Sequence, residues 1–194
     1  MARPRIYDED VVINKALSLF WQKGFSDTSS RDLIAATGIS NGSLFNSFGD
    51  KNKLYLACLQ KYDAVYISAL EHLLVSDIPF RKKIKKVFEG TAKKLADGSG
   101  YEGCFYFNSS VDSGIHDHAI CTLTLAIKHR LEQAFRTAVD LAKKTGQLSV
   151  KSDGTDLAQY LMTVTTGLRS IIKANAPEAE VARSIQSTLK FLPL

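Results

Sequence analysis

The chain has 194 residues, 45% hydrophobic and 23% charged, a balance that excludes a mainly disordered polymer and suits one large domain or two small ones. No apolar run approaches the ~18–20 residues of a membrane span. The basic start Met1-Ala2-Arg3-Pro4-Arg5 is followed by no apolar stretch, so a secretory signal is not expected. The 25 Lys and Arg exceed the 20 Asp and Glu, a formal charge of +5 that permits a polyanionic partner without requiring one. Three cysteines, Cys58, Cys104 and Cys121, are too few for a disulfide scaffold and point to free thiols in a reducing cytoplasm.

Apolar residues recur at intervals of three and four, with no alternating strand, and Pro4, Pro79, Pro177 and Pro193 fall where helices start or stop. A first helix is predicted over about 8–23, capped by Asp8, with Val12, Ala16, Leu19 and Phe20 on one face and Gly24 at its end. Ser29 and Asp32 stand at capping-box spacing before a second helix over 30–37, which Gly38 stops. Ile39 is apolar, and Ser40 can cap a third helix over about 40–48. Gly49-Asp50 breaks the chain again before a fourth helix over 51–75, striped by Leu54, Ala57, Cys58, Tyr62, Val65, Tyr66 and Ala69.

A fifth helix follows Pro79 to about 96. Ile84, Val87, Phe88 and Leu95 turn inward, and the basic run Arg81-Lys82-Lys83-Ile84-Lys85-Lys86 with Lys93 and Lys94 reads as a solvated face rather than a second nucleic-acid surface. Residues 97–100 form a loop. A short helix over 103–112, a long one from His118 to Lys144, and two more over 154–175 and 178–191 complete an all-α chain of about nine helices. Pro177 fits the first turn of the last one. Gly167, in mid-helix, costs ~1 kcal/mol against Ala unless a neighbour packs close.

Residues 30–48 have the order of a helix-turn-helix: capped helix, glycine turn, apolar residue, second capped helix. In the second of these helices Leu44, Ser47 and Phe48 turn inward, while Asn41, Gly42, Phe45 and Asn46 point away. A DNA major groove explains an outward Phe and an early Gly. Asn pairs with adenine edges, an aromatic ring touches a thymine methyl, and Gly permits close approach. The hydroxyls of Thr28, Ser29, Ser40 and Ser43 suit phosphates. An ordinary helical turn with a polar face is the alternative that the pattern alone leaves open.

The stretch TSSRDLIAATGISNGSLFNSFGDKNKLYLACL, with the upstream FWQKGF, resembles the DNA-binding domain of the tetracycline-repressor-type (TetR) family over about residues 8–58. The resemblance implies a helix-turn-helix head over 1–53 and a helical effector-binding and dimerisation domain over 54–194. It implies a homodimer, joined through the last two helices, that regulates transcription on a near-palindromic double-stranded operator. Such proteins are usually repressors released by a small molecule. By position, Thr28, Ser29, Ser40, Asn41, Gly42, Ser43, Phe45, Asn46 and Lys51 would face DNA. Phe45 stands where the family usually has Tyr, and Asn46 and Ser47 where it often has His or Tyr. Residues 1–53 hold seven basic and six acidic residues, so a moderate salt dependence is expected. In the last two helices Leu157, Leu161, Val164, Leu168, Ile171 and Ile172, then Val181, Ile185, Leu189 and Leu192, would form the dimer seam or simply the core.

The segment GCFYFNSSVD over 103–112 gathers Tyr101, Phe105, Tyr106 and Phe107 around Cys104 and Asn108. A glycine and then a thiol open a short helix, a setting that can activate a thiol, and the segment is similar to electrophile-sensing branches of the family. Cys104 therefore reads as core, as cavity lining or as a sensing thiol; Cys58 reads as core. Tyr62, Tyr66, Phe88, Phe107 and Tyr160 are candidate contacts for an apolar or aromatic effector, or core residues. His116, His118 and Cys121 have metal-ligand residue types, but Asp117 between the histidines is a good helix cap, and no metal or other cofactor is expected. No Gly-x-Ser-x-Gly, P-loop or dinucleotide fingerprint appears, so an enzyme is not expected. The remaining alternative is a helical small-molecule-binding or Cys-dependent redox protein with no DNA role.

Overall fold

The computed structural model describes residues 7–96, 103–149 and 153–192, the side chains of 93–96 and 113 apart. The N-terminal basic residues, the loop 97–100, Tyr101 and Pro193 lie outside the described residues, as do the side chains of Lys93, Lys94 and Leu95. Among the described residues there are helices and turns and no strand.

Helix α1 spans Glu9–Lys23 and is capped by Asp8, whose carboxylate accepts from the Asp10 amide. It buries Val12, Ala16, Leu17, Phe20 and Trp21 and ends at Gly24, whose φ of 85° favours glycine. Helix α2 (Ser30–Thr37) opens on a complete capping box between Ser29 and Asp32. Gly38 in the left-handed region (φ 79°) turns the chain into Ser40, which caps α3 (Asn41–Phe48). Asp50 caps α4, which runs as Lys51–Tyr62, a π-helical stretch Asp63–Ile67, and Ser68–Val75.

The π stretch corrects the predicted stripe of α4. Its wider turn shifts the phase of every residue beyond it. Tyr55, Leu59, Ile67 and Leu74 are buried, whereas Val65 and Tyr66 are nearly half exposed and Ala69 is exposed. Arg130 braces the stretch from outside, donating to both Asp63 carboxylate oxygens and to Glu71.

Helix α5 (Phe80–Ala96) buries Phe80, Ile84, Val87 and Phe88 as its periodicity requires. Lys83 departs from the expected solvated face, since it is only 2% exposed. It shares the helical phase of the buried Phe80 and Val87, and burial lowers its pKa while Asp77 acts in the opposite direction. Helix α6 (Phe105–Val111) starts directly after Cys104 and leads through a 3-10 turn, Ser113–Ile115, to α7 (His118–Lys144), capped by Asp117. Helices α8 (Gly154–Lys173) and α9 (Glu178–Phe191) close the fold. Pro177 occupies the cap position of α9 rather than its first turn, and Arg81 donates to the Leu189 carbonyl near the other end.

The buried side chains form two clusters. One joins α1–α4 to Cys104, Phe105, Tyr106 and the N-terminal half of α7. The other joins α5, the C-terminal half of α7, α8 and α9. Leu70 and Met162 pack against both, so the core of the head continues through α4 into the body instead of stopping at its start.

Candidate functional site

The head is set by a few buried anchors. Leu33 of α2 and Leu44 of α3 are fully buried and fix the angle of the two helices. Tyr7 secures α3 from the side: its hydroxyl donates to the Ser43 carbonyl at 3.1 Å and bonds to the Ser47 hydroxyl. Lys15 donates to the last carbonyl of α2, Thr37. Neither Tyr7 nor Lys15 stands out in sequence, because both act on residues far along the chain.

With that scaffold, Ser40, Asn41, Gly42 and Asn46 are exposed together along one side of α3. A Cβ at Gly42 would meet nothing within 4 Å, so the chain's own packing does not demand glycine there. The Ser40 hydroxyl accepts from the Ser43 amide and donates to the Ser43 hydroxyl. Phe45 is half-buried and packs on the head core, so it is less outward than its helical phase suggests. Ser29 is exposed, with its hydroxyl engaged to Asp32. The Asp32 carboxyl is held well below the usual carboxylate range, first by the Lys23 ammonium and then by Ser29.

One predicted contact, Thr28, is placed differently, and Lys51 has a partner of its own. Thr28 is fully buried and its hydroxyl donates to the Gly24 carbonyl at 2.6 Å, closing the turn after α1, so that hydroxyl does not face outward. The Lys51 ammonium lies 4.4 Å from the centroid of the Phe25 ring, a cation–π contact. Burial lowers its pKa, and Asp27 works against that shift.

Behind the head, a cavity of about 260 Å³ opens between α1, α4, α5, α6 and α8. Of the predicted effector residues it collects Tyr62, Tyr66 and Cys104. Cys104 is buried, and the Tyr62 hydroxyl donates to its Sγ at 3.2 Å. Burial raises the Tyr62 pKa well above its usual value. Three residues missed in the sequence share this wall: Trp21 from the head, Lys86 and Arg169. Only the tertiary fold brings them together.

The other candidates lie elsewhere. Phe88 is fully buried in the distal core. Phe107 lines a separate open groove of about 830 Å³ between α6, α7 and α8. Tyr160 is 43% exposed on the outer side of α8. Asn108 sits beside Gly103, where an added Cβ would be 3.6 Å from its Oδ1. Cys58 is core, and burial pushes its thiol pKa up.

The metal-type residues diverge. The His116 ring stacks on Tyr55 at 4.7 Å and meets Phe25 edge-on at 4.9 Å. His118 is exposed and pairs with Thr122, and the Cys121 thiol points at the His116 carbonyl. Among the described residues no group of three or more His, Cys, Asp or Glu is placed to share a metal ion, and no helix is long and apolar enough to cross a membrane.

Two capped helices joined by a glycine turn, set on a helical body, have the order of a helix-turn-helix. Residues 12–58 match the family described as "Bacterial regulatory proteins, tetR family". Over 99% of this chain and 100% of the relative it is 26% identical to the uncharacterized HTH-type transcriptional regulator YezE of Bacillus subtilis (strain 168). It is 25% identical to the HTH-type transcriptional repressor ComR of Escherichia coli (strain K12), over 98% of this chain and 91% of the relative. Its fold matches a cysteine mutant of the TetR family regulator CifR, solved with a 26-bp double-strand operator DNA, with a TM-score of 0.85 and 22% identity over 99% of this chain and 100% of that one.

Proposed function

We propose that the chain is a homodimeric repressor that reads a near-palindromic operator with α3 and leaves it when a small molecule fills the cavity behind the head. The observation that carries this reading is Trp21. It belongs to α1 of the head, yet it is part of the cavity wall. Any change in cavity occupancy therefore acts on a head residue directly. Coupling of this kind typically amounts to ~1–3 kcal/mol. The exposed row Ser40, Asn41, Gly42 and Asn46 supports groove contact, with Ser29, Ser43, Phe45 and Lys51 at its edges.

Division into a head over 1–53 and an effector and dimer domain over 54–194 belongs to the same proposal. Helices α8 and α9 are its dimer surface. Tyr160, Val164, Gly167 and Ile171 form one stripe along α8, at least partly exposed, and a Cβ at Gly167 would meet nothing within 4 Å of its own chain. A glycine there is explained by close approach of a second copy. Phe191 of α9, 75% exposed, offers further apolar area. The narrower form of the proposal is a thiol-reactive effector, supported by the place of Cys104 in the cavity wall. The repressor acts in the cytoplasm, where thiols stay reduced.

Selection of bound duplexes from random DNA, followed by sedimentation of the complex, tests the proposal. The expected result is a dimer on a two-fold-related site, bound at least about 10³-fold tighter than a scrambled duplex. A monomer that binds all duplexes alike would overturn it.

A further inference from the structure

The charge pattern of the cavity identifies its occupant, given that the cavity is the effector site. Its wall carries two cationic residues, Arg169 and Lys86, and no Asp or Glu among the described residues. Neither cation makes a hydrogen bond or an ion pair with a described residue, whereas Lys85, one position before Lys86, is paired with Glu89. Arg169 is half-buried. The buried Tyr62 and Tyr106 both feel the charge of Arg169. A half-buried guanidinium with no counter-ion among the described residues favours a ligand that supplies the anion.

The rest of the wall selects the ligand's body. The Trp21 ring stands edge-on to Tyr62 and Tyr66, with centroids 5.1 and 5.6 Å away, and Ile67, Leu70 and Val87 supply aliphatic surface. The volume of about 260 Å³ lies below the ~300–1,000 Å³ of drug-sized sites. It suits a molecule of one or two rings. Gly90 of α5 also lines the cavity, and an added Cβ there would meet nothing within 4 Å. Packing does not require a glycine at that point, and its absent side chain keeps the cavity open.

We propose that the cavity selects a small aromatic carboxylate, its charge on Arg169 with Lys86 at the mouth and its ring against Trp21 and Tyr62. The sulfhydryl of Cys104 needs no reaction in this mode, because the Tyr62 hydroxyl already occupies it.

The test pairs each carboxylate with its neutral isostere: benzoate with benzamide, phenylacetate with phenylacetamide, 2-naphthoate with 2-naphthamide. Binding to the full-length protein is measured by calorimetry and by the fluorescence of Trp21, the single tryptophan of the chain. At least one carboxylate is expected to bind 10-fold or more tightly than its amide. Arg169→Gln should bring that ratio below 3-fold, while Arg169→Lys keeps most of it. Gly90→Leu, which adds bulk without touching the charge, should weaken acid and amide alike by 10-fold or more, and far-ultraviolet dichroism checks that each variant is folded. Equal binding of acid and amide, an undiminished ratio in folded Arg169→Gln, or no binding of any carboxylate overturns the anion assignment. If neutral compounds then quench Trp21 and release the operator, the effector reading survives without it. If no compound does either, the effector reading falls as well.

Discussion

The indole of Trp21 stands perpendicular to the ring of Tyr62, with centroids 5.1 Å apart. Tyr62 in turn bonds Cys104, next to the first turn of α6. Three segments far apart in sequence thus meet at one aromatic joint, and one of them carries the head. Trp21→Phe should keep the fold at a loss of about 1–2 kcal/mol. It should leave operator affinity without effector within about 3-fold and shrink the effector's influence from ~1–3 kcal/mol to a fraction of that. Operator titrations with and without a bound carboxylate measure the difference.

His116 offers a pH test of the packing. Both ring nitrogens are buried without a partner among the described residues, between Phe25 and Tyr55. Burial lowers its pKa, and Asp112 and Asp117 oppose that shift. The folded state therefore resists protonation that the unfolded chain accepts at ~6.5. Stability should fall as pH drops through about 6.5 and level off below the folded value. His116→Phe keeps the stack and removes two unsatisfied atoms, each costing roughly 1–3 kcal/mol. The variant should melt no lower than the parent at pH 7 and lose this part of the pH slope in thermal melts from pH 8 to 5.

The capping box of α2 makes a separable contribution. Ser29→Ala removes the acceptor for the Asp32 amide and a donor to its carboxylate, a loss of about 0.5–2 kcal/mol. For a chain of this size each 1 kcal/mol is roughly 2–4 °C in melting temperature. Because the Asp32 pKa is depressed in the fold, its stabilisation is complete above the unfolded value of ~4 and is lost as pH falls through the lower folded one. Part of that depression comes from Ser29, so the variant should lose less stability on acidification than the parent.

The outer stripe of α8 and the end of α9 test assembly. Phe191 is 75% exposed, so Phe191→Glu should leave monomer stability within about 0.5 kcal/mol. If the seam runs there, the same change places like charges across the two-fold axis and shifts sedimentation toward monomer by 10-fold or more in dissociation constant. An unchanged dimer would exclude Phe191 from the seam.

Helix ends were legible because they rest on local chemistry. Asp8, Ser29, Ser40, Asp50 and Asp117 each cap the helix that their position predicts. What escaped was tertiary or phase-dependent. The π stretch at Asp63–Ile67 has no residue signature, so the stripe of α4 was misplaced beyond Tyr62. The residue type and position of Thr28 suggest an outward hydroxyl, but the chain turns that hydroxyl back onto the Gly24 carbonyl. Lys83 resembles its lysine neighbours in type, yet it shares the helical phase of the buried Phe80 and Val87. The cavity is partly legible: of the candidate effector residues, Tyr62, Tyr66 and Cys104 line it. Trp21 and Arg169 join them only through the packing of α1 and α8.

The most direct test of the whole account is the sequence discrimination of Asn41→Ala on the selected operator. Asn41 is exposed in the first turn of α3, and its side chain bonds no described residue. Titration against a set of single-base-pair variants should show about 1–3 kcal/mol less discrimination at one base pair in each half-site, with melting temperature unchanged. If the variant distinguishes every base pair as well as the parent does, α3 is not the reading helix and the account fails.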